Sequence, residues 1–162
     1  MKRILIVEDE EILRQNLRDI LSLEGFEVHV ASNGMDGLDL FQVINPHLVL
    51  CDIKMPKMDG YEVLRAVREL PGGLTTAFIF LSAKVEHDDI RSGMNLGADD
   101  YLLKPVTRKD LLNAINNRLE KNERLLQEIQ LRIDETINGH LEIGPDEIQS
   151  ILSLLTKMEL KV

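Results

Sequence analysis

The sequence predicts an α/β fold: a doubly wound, five-stranded parallel sheet with helices on both faces and an extended C-terminal helix. Five short apolar runs, bounded by turn residues, are typical of strands buried inside a parallel sheet. Segments with apolar residues at helical spacing alternate with these runs, which favours parallel pairing through crossover helices. Four of the runs end at, or just before, an acidic, hydroxyl or amine side chain. In such a sheet these side chains would meet at one edge.

Each predicted element has its own signal for where it starts or stops. The strands cover about residues 3–7, 26–31, 48–51, 77–81 and 100–103. The helices cover about residues 12–24, 35–44, 61–70, 88–96 and 108–137. Gly25 and Gly97 suit the C-terminal ends of the first and fourth helices, and Pro46 and Pro71 stop the second and third. Thr107 is the predicted N-cap of the fifth helix.

Composition and charge indicate a globular chain of 162 residues, enough for one domain of ordinary size plus an appendage. The net charge of −9 argues against nucleic-acid binding by this chain alone. No stretch approaches the length of a membrane span, so a membrane protein is not expected. The single cysteine, Cys51, lies in an apolar run and has no partner for an intrachain disulfide. We therefore expect a cytoplasmic protein in which Cys51 belongs to the core.

Three carboxylates follow the first and third predicted strands. Glu8 and Asp9 come directly after strand one, and Asp52 comes directly after strand three. Three acids in one cleft would repel each other and raise their pKa values, and a hard divalent cation removes that repulsion. Mg²⁺ takes oxygen ligands and keeps several waters, so two or three acids suffice. The pattern predicts a magnesium site, whereas Glu10 and Glu11 are interpreted as ordinary acids at a helix start.

Asp52 is the predicted nucleophile for a phosphoryl group. A carboxylate can attack phosphorus to form an acyl phosphate, and the transfer needs in-line geometry and neutralised charge. Lys104, just after strand five, would bind one phosphoryl oxygen as a compact positive charge. Ser82, at the end of strand four, would donate to another oxygen together with the backbone N–H that follows it.

At these residues the chain resembles the receiver domain of bacterial two-component response regulators, over about residues 2–119. The matching segments, in order, are Ile4-Leu5-Ile6-Val7-Glu8-Asp9-Glu10, Asp52-Ile53-Lys54-Met55-Pro56, Met58-Asp59-Gly60, Leu81-Ser82-Ala83 and Gly97-Ala98-Asp99-Asp100-Tyr101-Leu102-Leu103-Lys104-Pro105. No single segment is specific, but their order and spacing together are. The resemblance implies the flavodoxin-like receiver fold. The first acid is Glu8, where aspartate is common in the family, and no essential residue is missing.

The resemblance also implies a mechanism. Asp52 would accept a phosphoryl group from a phosphohistidine on a sensor histidine kinase or phosphotransfer protein. The chain would then be a phosphoacceptor that catalyses its own phosphorylation and dephosphorylation, and not a conventional enzyme. Ser82 and Lys104 match the family's switch hydroxyl and lysine, and Tyr101 matches the switch aromatic, which rotates inward when Ser82 moves toward the phosphate. The implied Mg²⁺ ligands are Glu8, Asp9, Asp52 and the backbone carbonyl of Lys54.

The fifth predicted helix continues beyond the length that the sheet requires. Its seam follows alternating spacings of three and four and consists of Leu112, Ile115, Leu119, Asn122, Leu126, Ile129 and Ile133. Two interpretations remain open: a two-chain coiled coil that makes a homodimer, or one amphipathic helix packed on its own domain. The predicted organisation is a receiver domain at residues 1–119, a candidate coiled-coil linker at 120–138 and a C-terminal helical segment at 139–162.

The C-terminal segment carries a short match of its own. Residues 155–162 resemble the opening of the helix-turn-helix output domains that are attached to many receivers. That resemblance implies a chain cut from a longer transcriptional regulator, which would contact DNA through the missing output domain. The alternative is a natural C-terminal helix that packs on the coil.

The leading functional hypothesis is a phosphorylation-controlled switch of an output, with transcription as the expected output. The alternative is a stand-alone phosphorelay or scaffold receiver that acts by protein contact only. An Asp-based phosphatase or phosphomutase would need a second acid two residues after the nucleophile. Lys54 stands at that position, which argues against this class of enzyme.

Overall fold

The computed structural model describes residues 1–83 and 97–138, together with residue 149. The strands are β1 (Arg3–Val7), β2 (Glu27–Ala31), β3 (Leu48–Asp52), β4 (Ala77–Ser82) and β5 (Asp100–Leu103). The helices are α1 (Glu11–Leu23), α2 (Gly34–Ile44), α3 (Gly60–Glu69) and α4 (Arg108–Asn138). The fourth predicted helix, at residues 88–96, lies outside the described residues. The element named α4 is therefore the fifth helix of the sequence prediction.

All five strands pair in parallel, in the order β2-β1-β3-β4-β5. The chain passes from β1 to β2 on one side and then returns across β1 to build β3, β4 and β5 on the other. The order therefore reverses at β1, and the predicted doubly wound parallel sheet is confirmed. As a consequence, the carboxyl ends of β1 and β3 are neighbours, with Val7 opposite Cys51.

Alternate side chains of the strands are buried in two cores, one on each face of the sheet. The core beneath α1 and α4 takes the strand residues Ile4, Ile6, Leu48, Leu50, Ile79 and Leu81. The core beneath α2 and α3 takes the strand residues Leu5, Val7, Val49, Cys51, Phe78 and Phe80. Cover on both faces explains why the strands are continuous apolar runs. Cys51 lies in the core as expected, and its burial raises the pKa of the thiol well above the ordinary value, so the thiol stays protonated.

The start of α3 closes the loop that follows β3. Asp59 and Glu62 form a capping box, with each side chain accepting a hydrogen bond from the other residue's backbone N–H at 2.8 and 2.9 Å. Gly60 then donates its N–H to the carbonyl of Ile53 at 2.9 Å. A Cβ at Gly60 would collide with the backbone carbonyl oxygen of Asp52, so only glycine permits this approach. The loop after Asp52 is thereby held in a tight turn.

The long helix α4 is attached to the domain before it extends past the sheet. Thr107 accepts a hydrogen bond from the backbone of the first turn and is the N-cap, as predicted. The helix α4 then contributes buried residues to the core beneath α1 and α4, among them Leu111, Ile115 and Leu119. Further along, Asn122 Nδ2 donates to the carbonyl of Thr75 at 2.9 Å, and Glu123 pairs with Lys2 at 2.5 Å. The seam residues up to Asn122 therefore contact the domain to which α4 belongs.

Beyond Glu123 the apolar seam of α4 is covered only in part by described residues, since Ile129 is half-buried and Leu126 borders a cavity beside Pro46. Leu126 is 47% exposed and Ile133 is 36% exposed, while Leu131 on the opposite side of the helix is 63% exposed. Packing on the same domain thus accounts for the first part of the seam and leaves the second part open to a partner. None of the described helices combines the length and apolar content needed to cross a bilayer.

Candidate functional site

The polar residues predicted from the sequence lie along the carboxyl edge of the sheet. Glu8 and Asp9 follow β1, Asp52 is the last residue of β3, Ser82 is the last residue of β4, and Lys104 follows β5. The strands β1 and β3 are adjacent, and β4 and β5 come next on the same side. The group therefore assembles beside the point where the strand order reverses, which is the usual place for a site in this kind of sheet.

Lys104 is at the centre of the charged group. Its Nζ lies 2.8 Å from Glu8 Oε2 and 3.2 Å from Asp52 Oδ1. Its backbone N–H donates to the carbonyl of Ser82 at 2.8 Å, so the pairing of β4 with β5 extends to this residue. The Lys104–Pro105 peptide bond is cis. The side chain reaches past the end of β4 and contacts Glu8, which follows β1, and Asp52, the last residue of β3.

Glu8 is completely buried, which is rare for a carboxylate unless it is paired. Its Oε1 accepts the backbone N–H of Glu10 at 3.1 Å, and its own N–H donates to the carbonyl of Ala31 at 3.1 Å. Burial raises the pKa of Glu8, the hydrogen bond with Lys104 opposes that effect, and the charge of Asp52 adds to it. The net result is a pKa above the ordinary value for glutamate.

Asp52 is 6% exposed, and its pKa is also raised, chiefly because burial disfavours the charged form. The charge and hydrogen bond of Lys104 and the backbone N–H of Lys54 oppose that effect, and the charge of Asp9 adds to it. The folded protein thus holds these protons more tightly than the unfolded chain does. Ionisation of Asp52 and Glu8 therefore lowers the free energy of unfolding as the pH rises through their range.

Lys104 carries its charge throughout the neutral range. Burial by itself lowers the pKa of Lys104, but the hydrogen bond and charge of Glu8 and the charge of Asp52 together outweigh burial, and the net pKa is raised. One ammonium group is thus held permanently between two carboxylates that are costly to ionise.

The acids fit a divalent metal ion. One carboxylate oxygen each from Glu8, Asp9 and Asp52 lies within 4.8 Å of the others. All three are hard oxygen donors, which Mg²⁺ prefers. Three carboxylates face one ammonium, so the ionised group has an excess of negative charge that a divalent cation would neutralise. Lys54 has an exposed side chain, as expected for a residue whose proposed contribution is its backbone carbonyl.

An open depression of about 560 Å³ lies beside Asp52. Its lining consists of Asp9, Ile53, Lys54, Met55, Pro56, Asp59 and Tyr61. The depression is bounded by the β1–α1 loop on one side and by the loop after β3 on the other. Asp9 of the acidic group lines the depression and Ile53 directly follows Asp52, so the depression adjoins the acidic group.

Tyr101 belongs to a row of aromatic rings. It is half-buried on β5, and its ring centroid lies 5.2 Å from that of Phe80, its register partner on β4. Phe80 in turn packs edge-on against Tyr61 at 5.0 Å, and Tyr61 lines the depression. Tyr101 was predicted from its match to the family's switch aromatic, whereas Phe80 and Tyr61 were not among the predicted residues. Successive side chains of a strand point to opposite faces, so Phe80 lies on the same face of β4 as Phe78. That alternation is a sequence signal for the position of Phe80.

Two arginines that fix backbone segments, one at the site and one at the amino edge of the sheet, were also missed. Arg14 of α1 donates to the backbone carbonyls of Glu8 and Asp9. Arg68 of α3 donates to the carbonyl of Gly97, in the segment just before β5. A lone arginine in an amphipathic helix looks like a solvated residue, so the sequence carries no signal for either contact.

Comparison with known proteins identifies the family. Residues 4–116 match the model of the response regulator receiver domain. The chain belongs to this family. The matched range begins in β1 and ends inside α4, so it includes every predicted site residue of the receiver domain.

The receiver domain is similar to the corresponding part of named regulators. Transcriptional regulatory protein DltR of Streptococcus agalactiae serotype III (strain NEM316) is 40% identical over 144 residues, which cover 89% of this chain and 61% of DltR. DNA-binding response regulator MtrA of Mycobacterium leprae (strain TN) is 32% identical over 166 residues, which cover 96% of this chain and 72% of MtrA. The chain thus spans about 61% of the length of DltR.

Solved receiver domains share its architecture. A CheY-like receiver domain protein from Methanospirillum hungatei JF-1 has a TM-score of 0.72 and 34% identity, covering 76% of this chain and 98% of that chain. A receiver domain protein from Clostridium thermocellum has a TM-score of 0.71 and 35% identity, covering 77% of this chain and 99% of that chain. The predicted receiver fold is confirmed.

Proposed function

We propose that this receiver domain takes a phosphoryl group onto Asp52 and thereby switches an output. The observation that supports this most strongly is Lys104 Nζ, held 3.2 Å from Asp52 Oδ1 and 2.8 Å from Glu8 Oε2. The arrangement combines a nucleophile, a fixed positive charge and access through the depression. The proposed donor is a phosphohistidine on a sensor histidine kinase or on a phosphotransfer protein.

The proposed transfer uses few groups. A carboxylate oxygen of Asp52 attacks phosphorus while the phosphorus–nitrogen bond of the donor breaks, and the imidazole leaves with the electrons of that bond. Lys104 neutralises one phosphoryl oxygen, and Ser82 with the N–H of Ala83 donates to another. Glu8, Asp9, Asp52 and the backbone carbonyl of Lys54 are the proposed ligands of Mg²⁺, which would supply neutralisation of the phosphoryl charge when bound.

The same groups serve dephosphorylation, in which water attacks the phosphorus of the acyl phosphate and the Asp52 carboxylate leaves, because they also stabilise that transition state. We therefore regard the domain as the catalyst of its own phosphorylation and dephosphorylation. An enzyme that turns over phosphate esters would need an acid or base beside the nucleophile. Lys54 occupies that position in the sequence and has an exposed side chain, which supports the switch over the enzyme.

Incubation of the full chain with acetyl phosphate and Mg²⁺ is expected to add one phosphoryl group per chain, measured by intact mass. Asp52→Asn removes the nucleophile and should abolish the added mass, because an amide oxygen is too weak a nucleophile for this reaction. The matched control is Asp59→Asn, since Asp59 lines the same depression and asparagine is also a good N-cap. Labelling of Asp52→Asn at the wild-type rate would refute the proposal, and steady release of phosphate from added esters would favour the enzyme.

Ser82 and Tyr101 are the proposed switch residues. A phosphoryl group adds nearly two negative charges and three acceptor oxygens beside Ser82. Tyr101 is half-buried, and its ring centroid lies 5.2 Å from that of Phe80, so inward rotation would repack that aromatic row. The switch thus connects the phosphorylated edge to β5 and, through β5, to α4.

We further propose that residues 120–138 pair two copies of the chain as a coiled coil. The seam residues before this segment are buried in the domain, whereas Leu126 and Ile133 are exposed in a single copy. Ion pairs between residues four apart, Arg124 with Glu120 and Arg132 with Glu128, support the helix on its polar sides. The exposed seam is short, so pairing should depend on the state of the receiver domain and not be permanent.

Leu126→Glu is expected to weaken the dimer by about 10-fold or more, because it places a charge in a seam that would otherwise bury a leucine. The control is Leu131→Glu, which makes the same change on the opposite side of α4, where leucine is 63% exposed. Sedimentation of both variants and the parent, with and without a beryllium-fluoride phosphate mimic, gives the answer. A parent that stays monomeric in both states, or equal effects of the two variants, would contradict the coiled coil.

The output is proposed to be transcription, exerted through a DNA-binding module joined to residues 139–162. The names of DltR and MtrA, and the share of each that this chain spans, support this proposal over a stand-alone phosphorelay receiver. The tail and its match to helix-turn-helix domains lie outside the described residues. A cytoplasmic location is proposed on the ground that the only cysteine is an unpaired, buried thiol.

A further inference from the structure

Arg14 connects α1 to the backbone of the acidic loop. Its Nη1 donates to the carbonyl of Glu8 at 2.7 Å and to the carbonyl of Asp9 at 3.1 Å. These two residues supply two of the three carboxylates that cluster at the carboxyl edge. A single guanidinium nitrogen therefore holds both peptide units from which the acids project. The arginine side chain is half-buried, so this contact is not a loose surface pair.

The loop needs such a contact because the start of α1 is weakly fixed. Glu10 is the N-cap of α1, yet its side chain makes no capping hydrogen bond. The carboxyl group of Glu8 is held by Lys104 and by the N–H of Glu10, but Asp9 is exposed. Arg14 lies one turn into the helix, and its own N–H donates to the carbonyl of Glu10 at 2.9 Å. It can therefore transmit the rigidity of α1 to the loop.

We propose that Arg14 is a positioning residue for the divalent cation of this site. It fixes the backbone of Glu8 and Asp9 so that their carboxylates are preorganised to bind the ion together with Asp52. This inference rests on the proposed magnesium site of the receiver domain. Outer-shell hydrogen bonds of this kind typically change metal affinity by about 10- to 100-fold when they are removed.

Arg14 can affect cation affinity in two ways that act in opposite directions. The direction of the change in affinity when Arg14 is removed therefore shows which effect is larger. As a positive charge near the acids, Arg14 repels a cation, so its removal would tighten binding if charge were its main effect. As a clamp on the loop, it reduces the conformational freedom that binding must remove, so its removal would weaken binding. We infer that the second effect is larger, because the guanidinium contacts the backbone carbonyls and the charge repulsion acts through solvent at an exposed loop.

Isothermal titration of the unphosphorylated full chain with MgCl₂ tests the inference. Arg14→Met removes the donors and the charge but keeps an apolar stem, and we expect about 10-fold weaker binding. The matched control is Arg18→Met, one turn further along α1, where the arginine is exposed and pairs with its exposed neighbour Asp19. It removes the same charge from the same helix and should bind Mg²⁺ like the parent or slightly more tightly.

The kinetic readout separates positioning from a general structural defect. For Arg14→Met, the Mg²⁺ concentration that half-saturates acetyl phosphate labelling should rise, while the rate at saturating Mg²⁺ stays near that of the parent. Circular dichroism shows whether Arg14→Met is folded. If it is not, Arg14→Lys replaces it, because lysine keeps the charge but is too short to hold both carbonyls and should still weaken Mg²⁺ binding. Unchanged or tighter Mg²⁺ binding in the folded variant would overturn the role of Arg14 alone. A parent chain that neither binds Mg²⁺ nor becomes labelled would overturn the proposed function as well.

Discussion

Lys104→Met is expected to lower the initial rate of Asp52 labelling by about 100-fold, the usual cost of removing one preorganised electrostatic contact from a transition state. Lys104 Nζ lies 3.2 Å from Asp52 Oδ1, so it is placed to neutralise the charge that develops on a phosphoryl group bound there. Methionine has a similar length and no charge, so the change removes the electrostatic contact with little loss of packing. The measurement is the rate of mass gain with acetyl phosphate at saturating Mg²⁺.

Magnesium binding should respond to Lys104→Met in the opposite direction. Lys104 pairs with Glu8 and Asp52, and its removal leaves two buried carboxylates without a cation, so these acids should bind Mg²⁺ at least as tightly as before. Lys109→Met, on an exposed residue of the first turn of α4, is the control for loss of a lysine near this edge. A rate of labelling unchanged from the parent, at full Mg²⁺ occupancy, would show that Lys104 has no part in the transfer.

Arg68→Met is expected to destabilise the domain by about 3–5 kcal/mol, the range found when one partner of a buried ion pair is removed. The Arg68 side chain is only 7% exposed and lies 3.7 Å from the carboxylate of Asp99, which is 3% exposed. It also donates to the carbonyls of Gly73, Thr76 and Gly97. Burial lowers the pKa of Arg68 and the charge of Asp99 opposes that effect, so the pair is costly to bury but more costly to break.

Urea unfolding measures this loss as a lower midpoint with an unchanged slope. Arg65→Met is the control, because Arg65 is exposed on the same helix. The double variant Arg68→Met/Asp99→Asn should recover part of the stability, since it no longer buries an unpaired charge. In the Asp99→Asn change, the amide oxygen can still accept the hydrogen bond that the Phe78 N–H donates to Asp99 in the parent. Equal midpoints for Arg65→Met and Arg68→Met would show that the buried pair contributes little.

The strands and the edge of the site could be predicted because both depend on local patterns. Runs such as residues 48–51 are apolar at every position, which only a sheet covered on both faces requires. Since parallel strands all end at the same edge, knowing the strands was enough to place Asp52, Ser82 and Lys104 together. The sequence alone could not show that Lys104 would pair with both Glu8 and Asp52, because that depends on β5 lying two strands away from β3.

Contacts between distant elements were beyond the reach of sequence reasoning. Asn122 lies on the predicted heptad seam, yet its side chain donates to the carbonyl of Thr75 in the same domain. Glu8 was recognised as an acid of the site, but its complete burial was not. Arg14 and Arg68 have no periodic or motif signal, and apart from the Asp99 carboxylate the partners named above are backbone carbonyls, which any residue could supply.

The sequence by itself determined the α/β class, the parallel sheet and the identity of the acids, hydroxyl and lysine at its edge, because side-chain period and strand polarity are local properties. Tertiary structure decided how strongly those groups are buried, which cation pairs with which acid, and where the long helix stops serving its own domain. These depend on the free energy of desolvation and on distances between segments far apart in the chain. No local pattern encodes either quantity, and packing alone sets both.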